Sequence, residues 1–221
     1  LKRIPQHEVL DDVGLSPEEA TESLGDLRLV NRWFGGVSTT VYLLRRAMRR
    51  SGLHSASVLE VAAGDGYSIS RASERLKEEE SLHVEPVCLD RRGLKVHCCK
   101  QVVVGDALEL SFPPASFDFV SCGLFVHHLA PSQVIDFVNG ALQVARRAVL
   151  INDLRRSSLH LALVYAGIPM FRSRASRFDS VASVRQAYTP EELQRLIERT
   201  DATSIDLRSK YLFRMGAIAW K

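Results

Sequence analysis

The sequence has little that would place it outside ordinary globular chains. Its excess of positive charge is only +3, with 29 Lys and Arg against 26 Asp and Glu. Bulk charge therefore gives no argument for a nucleic-acid partner. Low-complexity linkers and internal repeats are absent. The longest apolar stretch, Leu159 to Phe171, is interrupted by His160, Gly167 and Pro169. It falls well short of the roughly 20 residues that span a bilayer. The opening Leu1-Lys2-Arg3-Ile4-Pro5 lacks the apolar region of a secretory leader, so a cytoplasmic protein is expected. Cysteine is scarce too. Four thiols in 221 residues make no disulfide framework, and reduced, mostly buried thiols are expected. A zinc reading of His97, Cys98 and Cys99 lacks a second ligand pair at suitable spacing, so no metal is expected.

What is present falls into three textures. At the start, Ser16-Pro17-Glu18-Glu19 combines a capping serine, a proline at the first helical position and an acidic residue to close a capping box. The helix should reach Trp33 and break at Gly35-Gly36. A second helix should run to Arg50, burying Val41, Leu44, Ala47 and Met48, and stop at Gly52. Residues 1–52 are thus read as a helical cap.

In the middle texture, short apolar runs alternate with helical spacing. Ser57 to Val61, His83 to Leu89, Gln101 to Val104, Phe117 to Cys122 and Ala148 to Ile151 read as strands. Tyr67 to Glu80 and Ser132 to Arg147 read as helices. That alternation predicts βαβ units and a parallel sheet. In the last texture a second capping box, Thr189-Pro190-Glu191-Glu192, opens a helix to about Arg199. Thr203 to Leu207 and Leu212 to Trp220 then form a closing hairpin.

The strand ends carry the chemistry. The first delivers Glu60 and then a tight turn of small residues, Ala62-Ala63-Gly64-Asp65-Gly66, which lets backbone approach a ligand before a helix starts. The second ends on Asp90, suited to ribose hydroxyls. The third ends on Gly105-Asp106-Ala107, suited to an exocyclic amine. A dinucleotide-binding dehydrogenase also places an acid after its second strand, but it would keep three glycines.

Together these stretches resemble the class I S-adenosylmethionine-dependent methyltransferases. Glu60-x-Ala62-x-Gly64-x-Gly66 resembles their acidic-x-Gly-x-Gly-x-Gly motif with alanine in place of the first glycine. Gly105-Asp106-Ala107 through Phe117-Asp118-Phe119-Val120 resembles their segment around strand four. Leu124 to Leu129 resembles the His-His-Leu segment of small-molecule members. The resemblance spans about residues 58–153. It implies a Rossmann-like α/β fold, with a seven-stranded, mostly parallel sheet, an antiparallel last strand and an N-terminal helical cap over the cofactor. Residues 53–221 would form the methyltransferase domain, with a lid insertion at about 155–188.

The resemblance further implies S-adenosyl-L-methionine as cofactor and S-adenosyl-L-homocysteine as product. Glu60, Ala62, Gly64 and Gly66 would cradle the methionine and ribose. Asp90 would accept from the ribose hydroxyls, Asp106 and Ala107 would face the adenine, and Cys122 would lie beside the cofactor.

For the transfer itself, His127, His128 and Asp153 stand at strand ends on the ligand-binding edge. A histidine there is either a base for an acceptor that loses a proton, or packing beside the cofactor. Asp153 is a catalytic candidate or an ion-pair partner of Arg155 or Arg156. Tyr42, Tyr165, Phe171 and Tyr188 read either as an aromatic pocket or as plain core. The expected acceptor is a small, apolar aromatic, quinol or polyketide-like molecule, methylated on oxygen or carbon, as in secondary metabolism. No Asn-Pro-Pro-Tyr-type signature follows strand four, where the chain reads Cys122-Gly123-Leu124-Phe125. A protein or RNA methyltransferase, and a non-catalytic cofactor-binding protein, remain the alternatives. Leu159 to Phe171 reads either as a greasy lid over the acceptor, with the arginines after it on a carboxylate, a phosphate or a peripheral membrane surface, or as an ordinary buried helix with a solvated basic flank. The expected partners are the acceptor and no nucleic acid, for a monomer or homodimer without a transmembrane segment.

Overall fold

The computed structural model describes residues 1–11, 16–92, 99 and 101–221. His97 and Cys98, two of the residues considered for zinc, lie outside them.

Two helices come first, α1 (Pro17–Trp33) and α2 (Gly36–Arg50). Ser16 caps α1 by accepting from the Glu19 amide at 3.2 Å. The α/β part follows as β1 (Ser55–Val61), α3 (Tyr67–Glu80), β2 (His83–Asp90), β3 (Gln101–Val104), β4 (Phe117–Gly123), α4 (Pro131–Val144) and β5 (Ala145–Leu154). After β5 come α5 (Ser158–Gly167), α6 (Arg174–Gln186), α7 (Pro190–Ile197), β6 (Ser204–Lys210) and β7 (Arg214–Trp220). The second capping box forms reciprocally between Thr189 and Glu192.

The seven strands form one sheet in the order β3-β2-β1-β4-β5-β7-β6. Only β7 runs antiparallel to its neighbours β5 and β6. The order reverses beside β1, between β1 and β4, which is where open α/β sheets leave a crevice at their strand tips. Successive core residues of one strand face opposite sides. Val58, Leu150 and Ile218 pack with α2 and α3, while Leu59, Val149 and Ala217 pack with α4 and α7.

Three expectations need correction. The helix ending in α4 stops at Val144 rather than Arg147, and β5 begins at Ala145. The irregular pairing of Phe117 with Ala145 and the Lys221 backbone bonding to Arg147 draw that stretch into the sheet. The thiols are not all reduced. Cys88 at the end of β2 and Cys99 in the connection to β3 come within 6.3 Å between Cα atoms and are joined as a disulfide, leaving Cys122 free and buried. The four aromatic residues do not meet in one pocket either. Tyr42 packs on one face of the sheet and Tyr188 on the other, and Tyr165 is exposed. Among the described residues no helix is long and apolar enough to cross a membrane.

Candidate functional site

The three acidic strand ends meet along one edge. Glu60 is fully buried in β1 and bonded to Ser121 of β4. Among the described residues its Oε2 has no hydrogen-bond partner, and only 3.7 Å would separate its Oε1 from a Cβ placed on Gly123. Burial pushes the Glu60 carboxyl up to about 7, with Ser121 working the other way. An orphaned buried oxygen is costly unless something satisfies it. A positively charged ligand at this tip would do so.

The turn after Glu60 is held from the next strand. Asp90 Oδ2 accepts from the Gly64 amide at 2.7 Å and Oδ1 from the Arg92 amide at 2.9 Å. Each oxygen keeps a second lone pair for another donor. Ala62 sits at φ +49°, beside Gly64 at +55° and Gly66 at +72°. The alanine therefore adopts the left-handed conformation that a glycine would take without strain. Helix α1 lies across this turn: Leu24 is 3.8 Å from a Cβ placed on Gly64, and Arg28 pairs with Asp65.

Asp106 follows β3. Its Oδ1 accepts from the Leu108 amide at 2.9 Å and its Oδ2 pairs with Arg91 at 2.6 Å. The Leu108 amide, then Arg91, hold this carboxyl below its usual range against the opposing effect of burial. Ala107 is buried beside it. Cys122, at the end of β4, is buried, and desolvation followed by the charges of Glu60 and Asp153 pushes its thiol well up. It stays a neutral thiol at physiological pH.

The histidines occupy the turn after β4. His127 is fully buried. Its Nδ1 lies 2.6 Å from Asp153 Oδ1, its backbone amide donates to Asp153 Oδ2 at 3.0 Å, and its Nε2 lies 3.4 Å from Glu8 Oε1. Burial alone would lower its pKa. The two carboxylates outweigh burial and raise it to about 10. Asp153 and Glu8 are correspondingly lowered, the charge of His127 overcoming their desolvation. His127 is thus an imidazolium with both ring nitrogens engaged. Asp153 pairs with it and not with Arg155 or Arg156. The His128 ring lies tilted by 33° against His127 at 4.2 Å between centroids, remains 24% exposed, and has its Nε2 3.8 Å from Glu8 Oε2.

Two contributors, Glu8 and Arg214, escaped the sequence reading, as did the backbone conformation of Leu124. Glu8 reaches the histidines from the far N-terminus, held by Ser183 and Gln186 of α6. Nothing in the local pattern announces it. Leu124, just past β4, has φ +55°, a strained conformation of the kind that collects at functional sites. Arg214 is fully buried at the start of β7, donates to Asn31 at 3.0 Å and is pushed down to about 10 by burial. A surface depression beside Tyr42, Arg45, Arg46, Arg49 and Arg50 takes no part in this edge. Its arginines are bound to Glu79, Glu80 and Asp206.

Comparison with known proteins bears on the fold. Residues 59–151 match the family model described as a methyltransferase domain. A search among curated proteins finds no match. Among solved structures, the plantazolicin methyltransferase BpumL, in complex with a monoazolic desmethylPZN analog and SAH, aligns over 93% of this chain and 90% of its own. Its TM-score is 0.66 and its identity 12%. A SAM-dependent methyltransferase from Aquifex aeolicus aligns over 80% and 88% (TM-score 0.55, identity 15%). A putative O-methyltransferase from Nostoc punctiforme aligns over 97% of this chain and 64% of that one (TM-score 0.59, identity 14%). At these identities the likeness is one of fold.

Proposed function

We propose that this chain, a class I S-adenosylmethionine-dependent methyltransferase, transfers the methyl group to oxygen or carbon of a small apolar acceptor. The observation that carries the acceptor class is an apolar cluster at the tips of β4 and β5. There Leu154, Val184 and Ala187 are buried, with Leu124, Leu161 and Val164 packed on them. These residues join the strand tips to α5 and α6, and on this reading they form the greasy side of the acceptor site beneath the segment after β5. The fold neighbour bound to an azole-containing analog is consistent with a small natural-product acceptor.

S-adenosylmethionine supplies a methyl group on a sulfonium, already activated toward a nucleophile. What the chain contributes is mainly position. Glu60, with its orphaned oxygen, would hold the ammonium of the methionine part. Ala62, Gly64 and Gly66 would follow its backbone. Asp90 would accept from the ribose hydroxyls on its remaining lone pairs, Asp106 and Ala107 would face the adenine, and Cys122 would pack beside the cofactor. Where the acceptor is a phenol or a ring carbon, a proton must leave. His128 is the better base because it is partly exposed. His127 keeps its proton and, with Asp153, positions the turn. The N-terminal helices (1–52) and the lid at about 155–188 would close the site around 53–221.

The test is a transfer assay with S-adenosylmethionine and a panel of apolar phenols, quinols and azole-containing peptides, set against unmodified protein and RNA. Product homocysteine nucleoside should appear with members of the first group. Methylation confined to protein or RNA would overturn the reading.

A further inference from the structure

Helix α5 is apolar on two faces, and among the described residues only one of them has a protein partner. Its inward side places Leu161 and Val164 on the cluster formed with Leu154, Val184 and Ala187. Its outward side exposes Leu159, Ala162, Leu163 and Ala166, and the turn after it exposes Met170. The spacing of three, four and seven residues puts these side chains on one line along the helix. Met170 is 78% exposed, Leu159 63% and Leu163 52%, and none of the ten helix residues is fully buried. A helix that is apolar all round normally lies inside a protein or in lipid. A soluble protein that leaves such a face open has something to cover it.

Charge narrows what that is. Of the five arginines from Arg155 to Phe178, Arg156 is buried against Glu192 and Arg155 lies over Phe213, which leaves three exposed, and the Asp179 that follows is buried and bonded to the Val9 and Leu10 amides. Arg172, Arg174 and Arg177 follow directly on the apolar line, are exposed, and flank exposed Phe178 on α6, which packs against α5. An apolar stripe edged by guanidinium groups has the chemistry of a helix lying in the plane of a membrane. Leu and Met enter the acyl boundary while arginines meet the lipid phosphates.

We propose that the outer face of α5, the turn through Met170 and the start of α6 dock this protein on an anionic lipid surface. The contact is peripheral, with α5 lying in the interface. Because the inner face of the same helix packs at the tips of β4 and β5, docking would set the acceptor side of the site against the bilayer. That consequence rests on the function proposed above, but the docking itself does not.

The experiment is sedimentation of the full chain with phosphatidylcholine vesicles containing or lacking about a third of phosphatidylglycerol. A second sample carries Leu163→Glu and Met170→Glu, both exposed positions, with its thermal melt and S-adenosylhomocysteine binding measured to establish that it folds. The chain should pellet with the anionic vesicles and much less with neutral ones, and high salt should release it. The double variant should lose at least tenfold in partition while keeping its melt and its cofactor affinity. Three results would overturn the proposal: no pelleting with anionic vesicles, equal partition onto neutral ones, or equal partition of the folded double variant. A dimer that the double substitution dissociates, without vesicle binding, would assign the face to a second copy. If docking fails, acceptor turnover in the transfer assay still stands or falls separately.

Discussion

Asp153 Oδ1 and His127 Nδ1 are 2.6 Å apart, and the second oxygen of the same carboxylate takes the His127 amide. One side chain thus fixes both the ring and the backbone of the turn that follows β4. With Glu8 on the other ring nitrogen, the arrangement is a buried carboxylate–imidazolium–carboxylate row. Its members depend on one another, because removing one leaves an uncompensated charge in the interior.

Asp153→Asn should therefore cost about 3–5 kcal/mol of stability, the range for breaking a buried ion pair. Denaturant titration of the two proteins checks it. A loss under 1 kcal/mol would mean that the row contributes little.

The same row predicts a pH profile. His127 rises from 6.5 to about 10 on folding, so its contribution is full below pH 6.5 and is lost as pH climbs toward 10. Asp153 and Glu8 are lowered, so theirs is present above the ordinary carboxyl range and is lost as pH falls below it. Melting temperature against pH should decline on both flanks. In His127→Asn the alkaline decline should flatten.

Glu60 gives a prediction of opposite sign. Its raised carboxyl is about half protonated at pH 7. A bound ammonium would drive off that proton, so cofactor binding should release about half a proton at pH 7. Calorimetry in buffers of different ionisation enthalpy measures it. Glu60→Gln should abolish the release and weaken binding by roughly 10- to 100-fold, as for the loss of a hydrogen bond to a charged group.

Ala62→Gly should remove the strain of φ +49°. The strain is of order 1–2 kcal/mol, against a cost of about 0.4–1 kcal/mol for the freer unfolded chain. The net expectation is a small gain in melting temperature with cofactor affinity preserved.

For the transfer step, His128→Ala should lower kcat at least tenfold on a phenolic acceptor, with little change in cofactor affinity. Equal kcat would leave His128 as packing.

The sequence carries the existence of the strands and the acidic residues near their ends because each depends on local pattern; the order of the strands in the sheet does not, and comes from the structure. The strands run from four residues in β3 to ten in β5, and Glu60, Asp90 and Asp106 sit at or just past the ends of the apolar runs that mark the first three. Helices α1, α2 and α3 are bounded by residues with a local conformational reason, Ser16 with Pro17, Gly35 with Gly36, and Gly66. Long-range encounters are different. Glu8 meets residues 119 and 120 positions away, and Arg214 meets Asn31 across 183 positions. Neither neighbourhood has a motif to mark it. The start of β5 was illegible for a similar reason, since Ala145 to Arg147 suits a helix until β4 and the C-terminus bind it.

On the function proposed above, the hold of Asp90 on the Gly64 amide means that the nucleoside cradle is shaped by the protein's own bonds before any guest arrives. Little conformational freedom is then left to surrender on association. Spent and fresh donor, alike in everything but one methyl group, would meet the same rigid mould. Clearance of the demethylated form would then be a natural brake on the cycle, relieved by whatever loosens α1 from the turn it covers.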